Sequence, residues 1–362
     1  MKVFSDLHLD NNNKYFRRRN DGKSDLLAAQ EQFLTDLFDS AAYGELIVCA
    51  GDLTDDNLLD SYVFGAVMHF AKLVRRHGER GGRVVLLEGN HCITDSKNVF
   101  SVVGGLSRMG LEALVCVNHP QTLMLEDCGK MVAIRAVPYM DDHKAMLDAM
   151  AEPIPGYEIP KLLFFHAAVR NALLDNGFPN DRGIELTARE VSQYDTIIGG
   201  DFHRHQCFDV AGKQVYYCGA PFTLKGGQEY KKGHMSVVDK TCEFHECVLD
   251  YPIITRRYDE LSQLELPDDS SRITLKVRDV PNHELKTDLI DQLIALELYS
   301  YHIAMMPSQV VETEESLIAY SPTLSPEQNA LLAIDKHVEA CDPDDPLKKH
   351  EGMVKTIIGK SK

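Results

Sequence analysis

The chain has 362 residues, 44% of them hydrophobic and 26% charged, which is enough for a sizeable buried core and too apolar for global disorder. Its formal charge of −17 disfavours a protein that coats nucleic acid with its whole surface, so metal ions, local basic patches or a partner must supply any positive charge. No apolar run nears the ~20 residues a bilayer crossing needs. The start carries no apolar signal core, and nine scattered cysteines make no stapled framework. The expectation is a soluble, cytoplasmic protein with no membrane partner.

Five short apolar runs end in polar residues. Residues 2–4 lead into Ser5-Asp6-Leu7-His8, residues 45–50 into Gly51-Asp52, and residues 83–88 into Gly89-Asn90-His91. Residues 161–165 end at His166, and residues 196–198 at Gly199-Gly200-Asp201-Phe202-His203. Runs of this kind suit strands buried on both faces. Between the first three, residues 26–38 and 62–74 repeat apolar positions every three or four, which predicts amphipathic helices. Strand, helix and strand with short connections predict a layered α/β core whose ligands gather at the carboxyl ends of the strands. Every polar cluster stands at such an end.

Further along, residues 123–125 and 131–137 flank Asp127-Cys128-Gly129-Lys130, a hairpin turn. Residues 214–218, 235–239 and 244–249 continue the strand pattern, so the core is expected to pair two sheets within residues 1–255. Residues 266–271 read as a linker. A small β-α-β module is predicted within 270–310, from strands at 272–277 and 301–306 around a helix at 284–297. Residues 311–362 hold a helix candidate at 326–341 and a basic tail with Lys348, Lys349, Lys355, Lys360 and Lys362, a possible partner-binding segment.

Each polar fragment is weak alone. Together Asp6, His8, Asp52, Asn90, His91, His166, Asp201 and His203 offer carboxylate, amide and imidazole donors with no thiolate, a set suited to Mn²⁺, Fe or Zn²⁺. They suffice for two ions if Asp52, at the tip of a central strand, bridges them. Such a pair polarises a phosphoryl oxygen and brings a bound water to hydroxide near neutrality. His91 is then free to protonate the leaving oxygen or to stabilise phosphoryl charge.

In order and spacing, Asp6-Leu7-His8, Gly51-Asp52-Leu53-Thr54-Asp55, Gly89-Asn90-His91, His166 and Gly200-Asp201-Phe202-His203 resemble the five motifs of the calcineurin-like metallophosphoesterases. Gln206, the segment Tyr217-Cys218-Gly219-Ala220-Pro221 and the added β-α-β module resemble the SbcD-type nucleases of bacteria and phages. The resemblance implies a four-layer sandwich, two mixed sheets between helices, with a small capping domain. It implies two divalent ions, typically Mn²⁺. Asp6, His8, Asp52 and His203 would surround one, and Asp52, Asn90, His166 and Asp201 the other, with His91 acting on the phosphate. It also implies a homodimeric DNA nuclease working with an SbcC-type ATPase, exonucleolytic on duplex ends and endonucleolytic on single strands or hairpins. A cyclic-nucleotide or other small-molecule phosphodiesterase with the same core is the alternative.

At the last motif the family has Gly-His-x-His, whereas this chain has Gly200-Asp201-Phe202-His203-Arg204-His205. Either Asp201 with His203 or His203 with His205 completes the site, and Gln206 downstream favours the first pair. Arg17, Arg18 and Arg19 are weak candidates for phosphate contacts, with a solvated loop as the plainer reading. Gly22-Lys23-Ser24 lacks the earlier glycine of a phosphate-binding loop. Cys242, His245 and Cys247 lack a fourth zinc ligand and read as alternate residues of a strand. Residues 62–77, with Phe64, Met68 and Phe70, suit a dimer seam or core packing alike. Lys225, Lys231 and Lys232 read by default as a charged loop.

Overall fold

The computed structural model describes residues 1–305 other than 57–58, 94–100, 156–157, 265, 267–270, 282 and 297. The helix candidate at 326–341, the basic tail and most of the expected linker therefore lie outside the described residues. Strands β1 (Lys2–Phe4), β2 (Leu46–Cys49), β3 (Arg83–Leu87) and β4 (Leu114–Val117) lie side by side and parallel. Helices α1 (Asp25–Asp39) and α2 (Ser61–Glu79) pack their apolar stripes on this sheet's outer face. Ser24 caps α1 by accepting from the Leu27 N–H, and Asp60 caps α2 through the N–H groups of Tyr62 and Val63. On α2, Phe70 is buried, whereas Phe64 and Met68 are exposed.

After the short α3 (Val102–Ser107), the chain builds a second sheet. Strands β5 (Gln121–Asp127) and β6 (Lys130–Val137) form the expected hairpin; Cys128 and Gly129 take φ of +49° and +83°, the two left-handed residues that fit strand twist. Helix α4 (His143–Ala151), β7 (Lys161–His166), the short α5 (Ala188–Val191) and β8 (Thr196–Gly200) follow. Next come β9 (Gln206–Val210) and β10 (Lys213–Tyr217), with β10 lying parallel beside β8. The chain then returns to the first sheet, where β11 (Gly233–Val238) pairs antiparallel with β1 and β12 (Thr241–Glu246) forms the edge.

Val3, Val48 and Val85 of the first sheet meet Ile134, Leu162, Phe164 and Ile198 of the second in the inner core. The outer face of the second sheet buries Met146 and Met150 of α4 and Val191 of α5. Helices, sheet, sheet and helices make the expected four layers. Among the described residues no helix is long and apolar enough to cross a membrane.

A third, parallel sheet consists of β13 (Ile253–Arg257), β14 (Thr274–Val280) and β15 (Ser300–Met305), with α6 (His283–Ala295) between the last two. Leu275, Val277, Val280, Leu289 and Leu293 form its core. This module begins earlier than the expected 270, because β13, split by the expected boundary at 255, pairs with β14 rather than with the sandwich. A parallel partner supplied from beyond a linker leaves no local trace in the sequence. The module packs on the loop that follows the first motif: the Arg17 N–H donates to the Tyr299 hydroxyl at 2.6 Å, and that hydroxyl donates to Asp25 at 2.7 Å.

Candidate metal centre

The strands β1, β2 and β3 lead into Asp6, Asp52 and Asn90 within three residues of their ends, the facing strand β7 ends at His166, and β8 leads directly into Asp201. Carboxyl ends from both sheets thus meet at one rim. The backbone turns sharply there: Asp6, His8, Asp52 and Asp201 take φ of +52°, +46°, +49° and +99°, left-handed conformations that cost non-glycine residues about 1–3 kcal/mol each. Packing of the motifs against one another holds them in place. A Cβ on Gly89 would lie 2.1 Å from Asp52 Oδ1, so only glycine lets the third motif approach the second this closely.

The donor atoms converge. His8 Nε2 and His203 Nε2 are 3.0 Å apart, and His166 Nε2 is 2.9 Å from Asn90 Oδ1. Asp52 Oδ2 faces both groups, 3.3 Å from His166 Nε2 and 3.7 Å from His8 Nε2, while its Oδ1 accepts from the His91 N–H at 3.0 Å. Asp201 Oδ1 stands 3.9 Å from His166 Nε2. Asp6 joins both halves, with His8 and His203 on one side and Asp52 and His166 on the other, each trio having its ligand atoms within 4.8 Å. Ligand bonds of about 2.1 Å place neighbouring donors about 3.0–3.4 Å apart, so the tightest spacings already match those of a metal's coordination shell.

The calcineurin-like phosphoesterase family model matches residues 2–205, a span that runs past every one of these donors. The chain belongs to the calcineurin-like phosphoesterases. No curated protein matches it. Membership gives a metal-dependent hydrolase of phosphoester bonds, and the cluster gives a divalent-metal site.

The electrostatics of this phosphoesterase site suit cations. Burial opposes charge on His166, but Asp52, Asp6 and Asp201 outweigh it and raise the imidazole to about 10. His166 donates its Nδ1 proton to the Ala50 carbonyl at 2.8 Å, so Nε2 is the nitrogen for which a proton and a metal compete. Burial pushes Asp6 up, and Asp201 up to about 6. Asp52 stays well below the usual carboxylate range because His166 overcomes its burial. Burial, reinforced by His8, pushes His203 well below the usual imidazole range and leaves a lone pair available. Carboxylates crowded this closely in a buried knot are costly unless positive charge joins them.

All seven expected ligand residues, Asp6, His8, Asp52, Asn90, His166, Asp201 and His203, meet in this knot. His91 sits at its edge, half exposed, with Nδ1 donating to the Asp55 carbonyl at 2.8 Å. His205 does not enter: its Nδ1 donates to the Tyr217 carbonyl at 3.0 Å and its ring stacks on Phe244. The pair facing the site is therefore Asp201 and His203. Cys92 is fully buried, with burial raising its thiol to about 12, and serves packing. Arg18 is tied to Gly22 and Asn12 within its own loop, Arg17 stacks on Tyr299, and Arg19 is exposed. Cys242 and Cys247 pack into different hydrophobic clusters, and among the described residues no metal-ligand cluster includes them.

Two supporting groups escaped sequence reasoning. Asp55, the last residue of the second motif, places its carboxylate 3.0 Å from His8 Nδ1. Gln228 Nε2 lies 2.8 Å from His203 Nδ1 and donates to Asp175 at 3.1 Å. Its Oε1 accepts from the Leu224 N–H and from Lys232. Lys225 and Tyr230 bind the same Asp175. Spacing from Asp52 could have flagged Asp55, but a glutamine 25 positions after His203 carries no local signal.

Proposed function

We propose that this phosphoesterase is a DNA nuclease of the SbcD type with two divalent ions, Mn²⁺ as the working metal. Asp6, His8, Asp52 and His203 would hold one ion, and Asp52, Asn90, His166 and Asp201 would hold the other. The observation that carries this reading is Asp52 Oδ2 facing His166 and His8 alike, the position of a shared ligand. Such a pair, when bound, would polarise a phosphoryl oxygen and make a water acidic enough to give hydroxide for in-line attack. With Nδ1 committed to Asp55, His91 keeps Nε2 for the proton at the leaving oxygen.

DNA is favoured by the added sheet, which packs beside Tyr15 and places Lys276 and His302 next to Lys14 on the loop leaving the first motif. Cations at such a seam suit a phosphate backbone. The reading extends to exonucleolytic cutting of duplex ends, endonucleolytic cutting of single strands or hairpins, a homodimer, and an SbcC-type ATPase as partner. One feature favours the small-molecule alternative. A cavity of about 310 Å³ beside Asp55 is lined also by Asp10, Asp56 and Asp60, which repel a polyanion more than a small ester.

Linear duplex, single-stranded oligonucleotide and cyclic nucleotides, each assayed with Mn²⁺ against wild type and His91→Asn, decide between them. DNA cutting that disappears in the variant supports the nuclease. Turnover confined to cyclic nucleotides supports the alternative, and no turnover of any substrate by metal-loaded protein contradicts both.

A further inference from the structure

We propose that the two metal positions are chemically unequal, and that Asp201 makes the position beside Asn90 and His166 selective for a hard, oxygen-preferring divalent ion such as Mg²⁺ or Mn²⁺ over Zn²⁺. The inference rests on the dinuclear reading above and adds which ion each half prefers. On one side, the imidazoles of His8 and His203 face each other at 3.0 Å, so two nitrogens join the carboxylates of Asp6 and Asp52. On the other, His166 is the single nitrogen. Its companions are Asn90 Oδ1 at 2.9 Å, Asp52 Oδ2 at 3.3 Å and Asp201 Oδ1 at 3.9 Å.

Asp6 and Asp52 reach both halves. Beyond them the first half adds two imidazoles, whereas the second adds the Asn90 and Asp201 oxygens to one imidazole, a harder set, and hard sets favour Mg²⁺ and Mn²⁺. Asp201 also adds one formal negative charge to that half. Asp201 is free to serve. Its backbone N–H is spent on Asp6, but among the described residues no N–H or O–H donor reaches its carboxylate, which is only 23% exposed. A largely buried carboxylate without a donor is poised for a cation. The left-handed φ of +99° at Asp201 fixes the side chain in this direction at a cost in strain.

Stripped wild-type protein, Asp201→His and Asp201→Ala are dialysed against mixtures of Mn²⁺ and Zn²⁺, with bound metals counted per chain by mass spectrometry and folding checked by near-ultraviolet circular dichroism. Wild type is expected to hold two ions. In Asp201→His the Mn²⁺-to-Zn²⁺ ratio at one of the two equivalents is expected to fall about 10–100-fold, the scale on which a change in the ligand surroundings alters metal affinity. Asp201→Ala is expected to lose Mn²⁺ from that equivalent alone. Two ions in all three proteins with an unchanged ratio overturn the role of Asp201 and leave the dinuclear reading intact. Fewer than two ions in wild type overturn the dinuclear reading itself.

Discussion

His166 reaches from the end of β7 to donate its Nδ1 proton to the Ala50 carbonyl at the end of β2, so the backbone of one sheet aims an imidazole of the other. Gly51 makes room for this contact: a Cβ there would lie 2.0 Å from His166 Nδ1, and its φ is +112°. Gly51→Ala is expected to displace the ring, weaken Mn²⁺ binding about 10-fold or more and destabilise the fold by about 1–3 kcal/mol. Equilibrium dialysis and urea unfolding measure the two effects, and wild-type values in both contradict the contact.

His91 is not among the proposed ligands, although its ring lies within 4.8 Å of ligand atoms of His8 and Asp55, so His91→Asn tests whether it serves the chemistry or the metal. Loss of a proton donor at the leaving oxygen is expected to lower kcat about 10²–10⁴-fold while metal content stays at the wild-type value. A variant that loses metal together with activity shows instead that His91 helps to build the site.

The sandwich and the site were legible for one physical reason. Strands buried on both faces must be continuously apolar, so β2, β3, β7 and β8 announce themselves, and their polar terminators mark the rim. Glycines adjoining Asp52, Asn90 and Asp201 made the close approaches visible as well. What stayed hidden depends on contacts distant in sequence. The pairing of β13 with β14, the turning away of His205 onto Phe244, and the Gln228 contact to His203 each join segments that no local period or motif connects.

Gln228 is a positioning residue for His203. Gln228→Met keeps the shape and removes the amide that faces His203 Nδ1. Mn²⁺ affinity is expected to fall about 10–100-fold with an unchanged circular dichroism spectrum. Affinity equal to wild type shows that His203 is oriented by its own backbone.

Lys232 is buried at 2% exposure, against the Tyr230 ring, and burial lowers its ammonium to about 8. In the unfolded chain it returns toward 10.5, so between pH 8 and 10.5 the unfolded state binds more protons and stability rises with pH. Below that window the cost of the buried charge is fully present. Lys232→Met is therefore expected to be about 1–3 kcal/mol more stable than wild type at pH 7, with the gap narrowing as pH rises through the window. A gap of the opposite sign at pH 7 shows that the ammonium is net stabilising where it sits.

The most direct test is an anomalous-scattering map from crystals grown in Mn²⁺. Two peaks flanking the Asp52 carboxylate are expected, one against Asp6, His8 and His203 and the other against Asn90, His166 and Asp201. A single peak, or peaks that leave Asp52 outside the coordination of either ion, contradicts the shared-carboxylate centre.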